Sequence, residues 1–154
     1  MGVAGCGKST LAAAVAGRLG RDWLEGDQFH SDASRLKMAR GEPLTDQDRV
    51  SWLASLCEQL RQRPGLILTC SALKRTYREQ LRQAAPGLRF AFLDISQAES
   101  SRRVAMRADH FFSASLVDSQ FATLEPPVGE PGVITLDGVQ PVDTVAAQVC
   151  EWLG

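Results

Sequence analysis

Apolar positions recur along this chain at helical and extended periods in alternation. Leu11, Val15 and Leu19 fall four apart and Gly20 follows, which predicts a helix stopped by glycine. Asp22-Trp23-Leu24 predicts a short strand running into Glu25-Gly26-Asp27. Ser31 is placed to cap a short helix through Arg40, ended by Gly41-Glu42-Pro43. Thr45 to Asp48 has capping-box spacing with Asp in the Glu position. It precedes the stripe Val50, Leu53, Cys57 and Leu60, which Pro64-Gly65 terminates.

Leu66 to Cys70 is a continuous apolar run, the pattern of a strand buried on both faces. A helix carrying Tyr77, Leu81 and Ala84 follows and stops at Pro86-Gly87; Arg89 to Ile95 is the next buried strand. Ser96 to Glu99 has the spacing of a second capping box. A helix is expected near Ser115 to Phe121 and a strand over Val133 to Leu136. Pro141 then starts a helix with Val142, Val145, Val149 and Trp152. Strands alternating with helices predict an α/β fold with a mainly parallel sheet between helical layers.

At 154 residues, without repeats or a Pro/Gly/Ser linker, the chain reads as one domain, 1–154. Seventeen basic against eighteen acidic residues leave a net charge of −1, so no broad positive field points to nucleic acid or an anionic membrane. No run approaches a membrane span, no secretory signal opens the chain, and Cys6, Cys57, Cys70 and Cys150 show neither CxxC nor zinc spacing. A cytoplasmic protein with reduced thiols is expected.

The sharpest chemical signal is Gly2-Val3-Ala4-Gly5-Cys6-Gly7-Lys8-Ser9, which fits G-x-x-x-x-G-K-[ST] at every fixed position and is followed by Thr10. Glycines let successive N–H groups turn inward around phosphate oxygens, where a Cβ would resist. In such a loop Lys8 serves the β/γ-phosphates, the Ser9 hydroxyl serves Mg²⁺, and the helix N-terminus adds partial positive charge. ATP and Mg²⁺ are the expected cofactors. A phosphate loop ordinarily leaves a buried strand, yet only Met1 precedes Gly2. The expectation is a strand-length apolar segment encoded upstream; without it, neighbouring strands keep unpaired backbone groups beside an apolar slot, and productive folding is itself in question.

Glu25, Asp27 and His30 follow the predicted strand Asp22-Trp23-Leu24, at the sheet edge where open α/β folds bind ligands. Asp27 is suited to take a proton from an attacking hydroxyl, Glu25 to hold Mg²⁺ through water, and His30 to hydrogen-bond a polyol or carboxylate. Lys37, Arg49, Lys74, Arg75 and Arg78 are cationic candidates, of which two or three are expected to touch substrate. Cys70-Ser71-Ala72 leaves the next strand without the acid common there, so the metal would rest on Ser9, phosphates and an acidic residue after the strand Asp22-Trp23-Leu24. Asp137 to Pro141 reads equally as adenine-pocket lining or as a plain strand–helix turn.

The stretches GVAGCGKST, EGDQFH, KMARGEPLTDQDRVSWL, CSALKRTYREQLR, and HFF followed by LVDSQFATLEP run in order over residues 2–126. Together they resemble the small gluconate kinases. The phosphate loop alone is widely shared; GEPLTDQDR and CSALKRTYR carry the likeness. The chain departs from the common family pattern at Ser31 and Ser51, where proline is usual, and at Ser34, where asparagine is usual. The resemblance implies a P-loop kinase fold with a helical lid over about 102–125, and phosphorylation of D-gluconate at its 6-hydroxyl. It assigns Lys8 and Ser9 to Mg·ATP, Asp27 to the acceptor hydroxyl, and His30, Arg49, Ser71, Lys74 and Arg78 to the substrate; a homodimer is also implied.

Arg102, Arg103 and Arg107 precede Asp109-His110-Phe111-Phe112. Arg103 and Arg107 stand four apart, on one face of an expected helix, to neutralise the transferring phosphoryl group beneath a closing lid. A shikimate-type or nucleoside-type kinase and a non-catalytic nucleotide-binding module are the competing readings. The acceptor set separates them, since a sensor needs no Asp27 and Arg49 converging on a polyol.

Overall fold

A computed structural model describes residues 1–107 and 113–154. Its helices are α1 (Lys8–Leu19), α2 (Asp32–Ala39), α3 (Asp46–Gln62), α4 (Arg75–Ala84), α5 (Gln97–Ala105), α6 (Ala114–Thr123) and α7 (Val142–Leu153). Its strands are β1 (Trp23–Glu25), β2 (Ile67–Thr69), β3 (Phe90–Asp94) and β4 (Val133–Asp137), with a 3-10 turn over Gly26–Phe29. Residues Asp109, His110, Phe111 and Phe112 of the expected lid lie outside the described residues.

The strands form two parallel pairs, β1 with β2 and β3 with β4. Alternate strand residues serve opposite cores. Ile67, Ala91 and Ile134 pack with Leu11, Val15 and Val149 of α1 and α7; Leu68, Phe90 and Val133 pack with Trp52, Leu56 and Leu81 of α3 and α4. Period-2 alternation into two apolar layers makes the three-layer α/β arrangement that the sequence predicts.

Between β2 and β3 the described chain places no strand, and a cavity of about 640 Å³ lies there, lined by Leu11, Val15, Leu68, Cys70, Ala91 and Leu93 among others. Ile67 and Leu68 are therefore only half-buried, unlike the fully buried run expected. Met1 and Gly2 reach this gap. Leu93 N–H donates to Met1 O at 3.0 Å and Gly2 N–H to Ser71 O at 3.2 Å.

Local signals hold in most places. Thr45 and Asp48 form the reciprocal capping box of α3. Ser31 caps α2 by accepting from Ser34 N–H at 3.1 Å, and its hydroxyl donates to Ser34 Oγ at 3.1 Å, so two of the departures from the family pattern contact each other. At α5 only half a box forms: Ser96 Oγ accepts from Glu99 N–H, while the Glu99 carboxylate is taken by Arg102 and Arg103. Pro141 is the N-cap of α7, one position before its first turn. Helix α5 ends at Ala105, so Arg103 and Arg107 do not share a helical face as the spacing predicts.

Candidate active site

The phosphate loop is a closed arc at the start of α1. Gly2, Gly5 and Gly7 take φ of 141°, 73° and 98°, in the region that penalises a side chain. Gly7 is the N-cap of α1, so the loop's N–H groups and the positive end of that helix share one mouth. Lys8 folds back over the arc, its Nζ donating to Gly2 O at 3.1 Å and Val3 O at 2.9 Å. Helix α5 braces the far side: Ser100 Oγ donates to Ala4 O at 2.7 Å and the Arg103 guanidinium to Gly5 O at 3.3 Å.

A cavity of about 400 Å³ opens beside the loop, lined by Ala4, Lys8, Asp27, His30, Arg49, Ser71, Arg107, Ser119 and Gln120, with apolar walls from Met38, Leu44, Val104 and Leu116. The larger cavity between β2 and β3 has mostly apolar walls and no such convergence of acid, base and cation. The smaller one is the candidate site.

Turn geometry presents its acid. Gly26 passes so near β2 that an added Cβ would meet Thr69 O at 2.0 Å, and the 3-10 turn then swings Asp27 out with a 63% exposed carboxylate. His30 goes the other way. Its ring stacks on Trp52 at 4.6 Å between centroids, 7% of its side chain is exposed, and Nε2 lies 3.8 Å from Asp27 Oδ1. Burial lowers its pKa below the usual histidine value, the Asp27 charge opposes that, and Arg49 and Arg35 reinforce it. Nδ1 is buried with no partner among the described residues, on a side chain that lines the cavity.

Arg49 is held by Leu44 O at 2.8 Å, with its guanidinium carbon 5.8 Å from the Tyr77 ring centroid. Ser71 leads into Ala72, a buried non-glycine residue at φ 44°. The Arg78 guanidinium donates to Ala72 O and Leu73 O, holding this bend where the chain leaves β2. Behind the loop, Ser9 Oγ donates to Glu25 Oε2 and Thr69 Oγ1 to Glu25 Oε1. A hydroxyl and a carboxylate side by side next to the phosphate loop are the hard oxygen donors that fit a magnesium ion retaining water and phosphate ligands.

Residues 1–127 match the AAA-domain family profile. A gluconokinase of Gluconobacter oxydans is 46% identical over 154 residues, covering 97% of this chain and 86% of that protein. The chain belongs to the gluconokinase family. Two solved structures agree: a gluconokinase from Sinorhizobium meliloti at 42% identity and TM-score 0.88 (99% of this chain, 92% of that one), and a sugar kinase from Janibacter at 43% and 0.94 (99% and 91%). No described helix is long and apolar enough to cross a membrane.

Against this gluconokinase fold the sequence-predicted residues divide. Lys8, Asp27, His30, Arg49, Ser71 and Arg107 come together in the cavity. Of the five cationic candidates only Arg49 lines it. Lys74 donates to both Asp46 oxygens at 2.8 and 2.9 Å, Lys37 to Asp48 at 2.7 Å, and Arg75 to Glu79 at 2.9 Å. Arg78 is fully buried and bound to Glu130. Arg103 is likewise a brace of the loop, not a cavity wall. Sequence reasoning missed Ser119 and Gln120, although they lie in the quoted LVDSQFATLEP. Three- and four-residue spacing from Leu116 puts them on its face of α6, a legible signal. Gln120 Oε1 accepts from Ala4 N–H at 2.6 Å.

Proposed function

We propose that this chain transfers the γ-phosphoryl group of Mg·ATP to the 6-hydroxyl of D-gluconate, giving 6-phosphogluconate and ADP. One observation carries the reading: a single cavity joins the phosphate-loop lysine, an outward carboxylate at Asp27, and the guanidinium groups of Arg49 and Arg107. A linear sugar acid needs that combination, an anion clamp at one end and a proton acceptor at the other.

In this scheme Arg49 and His30 hold the substrate's carboxylate and polyol and aim its terminal hydroxyl at the loop. Asp27 accepts the hydroxyl proton as the new O–P bond forms. The bond from the γ-phosphorus to the β-bridging oxygen breaks, and the electron pair leaves with ADP. Loop amides and Lys8 stabilise the charge on the transferring group, and Arg107 adds a cation from the segment after α5. Ser9 and Glu25 would hold Mg²⁺, which supplies charge neutralisation on the phosphates. The stretch 102–125 acts as a cover, with α6 as its return limb; closure excludes water that would otherwise take the phosphoryl group.

A coupled ADP-release assay across gluconate, shikimate and deoxynucleosides tests the acceptor. Turnover with gluconate far above the others is expected. Equal or faster turnover of shikimate or a nucleoside overturns it.

A further inference from the structure

The stretches GEPLTDQDR and CSALKRTYR meet where two helices begin. Asp46 opens α3 and Arg49 follows three positions on; Lys74 is the N-cap of α4 and Tyr77 follows three positions on. That spacing brings the members of each pair to one side of their helix. The two helices share a core through Trp52, Leu56, Tyr77 and Leu81, so the pairs face each other. Lys74 Nζ donates to both Asp46 carboxylate oxygens at 2.8 and 2.9 Å, and the Tyr77 hydroxyl donates to Asp46 Oδ1. Arg49 Nη1 donates to Leu44 O at 2.8 Å and reaches the Tyr77 hydroxyl oxygen at 3.5 Å. Of these four side chains only that of Arg49 lines the candidate site.

The chemistry of the phenol gives this cluster a direction. A tyrosine hydroxyl has one proton to donate. Tyr77 is 5% exposed; burial foremost, and then the bond to Asp46, raise its pKa above the ordinary value. The proton therefore stays on the phenol and is given to Asp46, whose own pKa is lowered by Lys74 foremost and then by Tyr77. Only lone pairs are left for Arg49. Leu44 O and the Tyr77 oxygen are the two acceptors at Nη1, while Nε and Nη2 have no hydrogen-bond partner among the described residues. An edge made of Nε–H and Nη2–H is the planar fork that meets both oxygens of a carboxylate.

We propose that Tyr77, itself oriented by Asp46, is a positioning residue that ties down the Nη1 end of Arg49 and so presents the Nε–Nη2 edge to the acceptor's carboxylate. The carboxylate half rests on the sugar-acid substrate proposed above. Tyr77 does not line the cavity, so its effect passes through Arg49. A guanidinium free to turn offers its N–H groups without regard to shape, whereas a fixed fork favours a planar anion with two oxygens over a primary alcohol. The cluster therefore governs selectivity for gluconate over sorbitol, its counterpart with an alcohol in place of the carboxylate. The ATP side is untouched.

Tyr77→Phe keeps the ring and removes the hydroxyl. It is expected to raise KM for gluconate about three- to tenfold, while kcat, KM for ATP and the inhibition constant of sorbitol against gluconate stay within about twofold of the parent. Asp46→Ala, at a carboxylate 65% exposed, tests the same link without touching the core and is expected to act likewise. Asp46→Asn, which keeps an acceptor for the phenol, is expected to give a smaller rise. Adding Tyr77→Phe to Arg49→Lys is expected to change KM by less than about twofold, whereas a merely structural tyrosine would raise it equally in both backgrounds. Side-chain nitrogen NMR of Arg49, assigned by its loss in Arg49→Lys, reads the positioning with no substrate present: rotation about Cζ–Nη1 is expected to quicken severalfold in Tyr77→Phe and Asp46→Ala. Equal effects in both backgrounds, a fall in kcat in place of a rise in KM, or unchanged rotation overturns the proposal. A parent that does not turn over gluconate overturns the sugar-acid reading instead, and the NMR measurement still decides whether Tyr77 fixes Arg49.

Discussion

Arg78 and Arg49 are both arginines of motifs on helices that pack together, yet their surroundings are opposite. Arg78 is fully buried, with its donors spent on Glu130, Ala72 O, Leu73 O and Glu125 O, and Arg82 shares the same carboxylate. Arg49 is fixed by one carbonyl and an aromatic ring and still lines the cavity. A guanidinium saturated by protein oxygens shapes the backbone around it; one steadied from behind has donors left for an anion. The same contrast separates Lys8, which rests on loop carbonyls, from Lys74, which is bound to Asp46. What the comparison teaches is that partners, not residue type, divide scaffold from site.

The hardest blow to the site side of that division is Lys8→Ala. Its contacts are with carbonyls of its own loop, so circular dichroism is expected to be unchanged while kcat/KM falls by about 10³-fold or more, some 4 kcal/mol of lost charge stabilisation. Turnover within tenfold of the parent would remove Lys8 from the chemistry.

On the scaffold side, Arg78→Met is expected to lower unfolding free energy by about 3–5 kcal/mol, because it leaves buried Glu130 short of a partner. Urea titration checks this, and kcat measured on the folded fraction should change little. Glu130 adds a pH signature. Its bonds to Arg78 foremost, and to Arg82, bring its pKa from the ordinary 4.5 down to about 2, against burial. A carboxyl depressed on folding stabilises above its unfolded value and loses that contribution as pH falls through its folded value. The stability gap between the parent and Glu130→Gln should therefore be full above pH 4.5 and close toward about pH 2. A gap that persists at the acid end would mean packing, not charge, holds this node.

Much of this was legible in the sequence because it is local. Capping at Thr45 and Ser31, the glycines of the loop, and the alternation of strands and helices each depend on a few adjacent residues. The fate of each cation was not legible, since Glu130 meets Arg78 fifty-two positions away. Arg107 misled for another reason: its spacing from Arg103 assumes a helix that has already ended at Ala105. The continuous apolar run at Leu66 to Cys70 reads as fully buried, but burial there depends on what stands between β2 and β3.

A smaller effect is expected from Arg49→Lys. An ammonium keeps the charge and loses the fork and the ring contact, so KM for gluconate should rise by about tenfold, the worth of one charge-assisted bond, with kcat changed less. If Lys74→Ala raised KM as much, the distinction between free and spent cations would fail at its clearest pair.

The mildest variant sharpens the comparison most, because Gln120 stands on the boundary. Its Oε1 accepts from Ala4 N–H in the phosphate loop, as a scaffold residue would, and its side chain lines the cavity, as a site residue would. Gln120→Ala removes one neutral hydrogen bond, about 0.5–1.5 kcal/mol, so a rise of about two- to tenfold in KM for ATP is expected with little loss of stability. Gln120→Glu separates the two roles. It keeps an acceptor for Ala4 N–H but puts a negative charge where a polyanion and a sugar acid must meet. If Gln120 faces substrate, the Glu variant is worse than the Ala variant despite retaining the bond, and raising ionic strength narrows the difference between them. If the Glu variant matches the parent, the bond to the loop is the whole of its role and Gln120 belongs with Arg78.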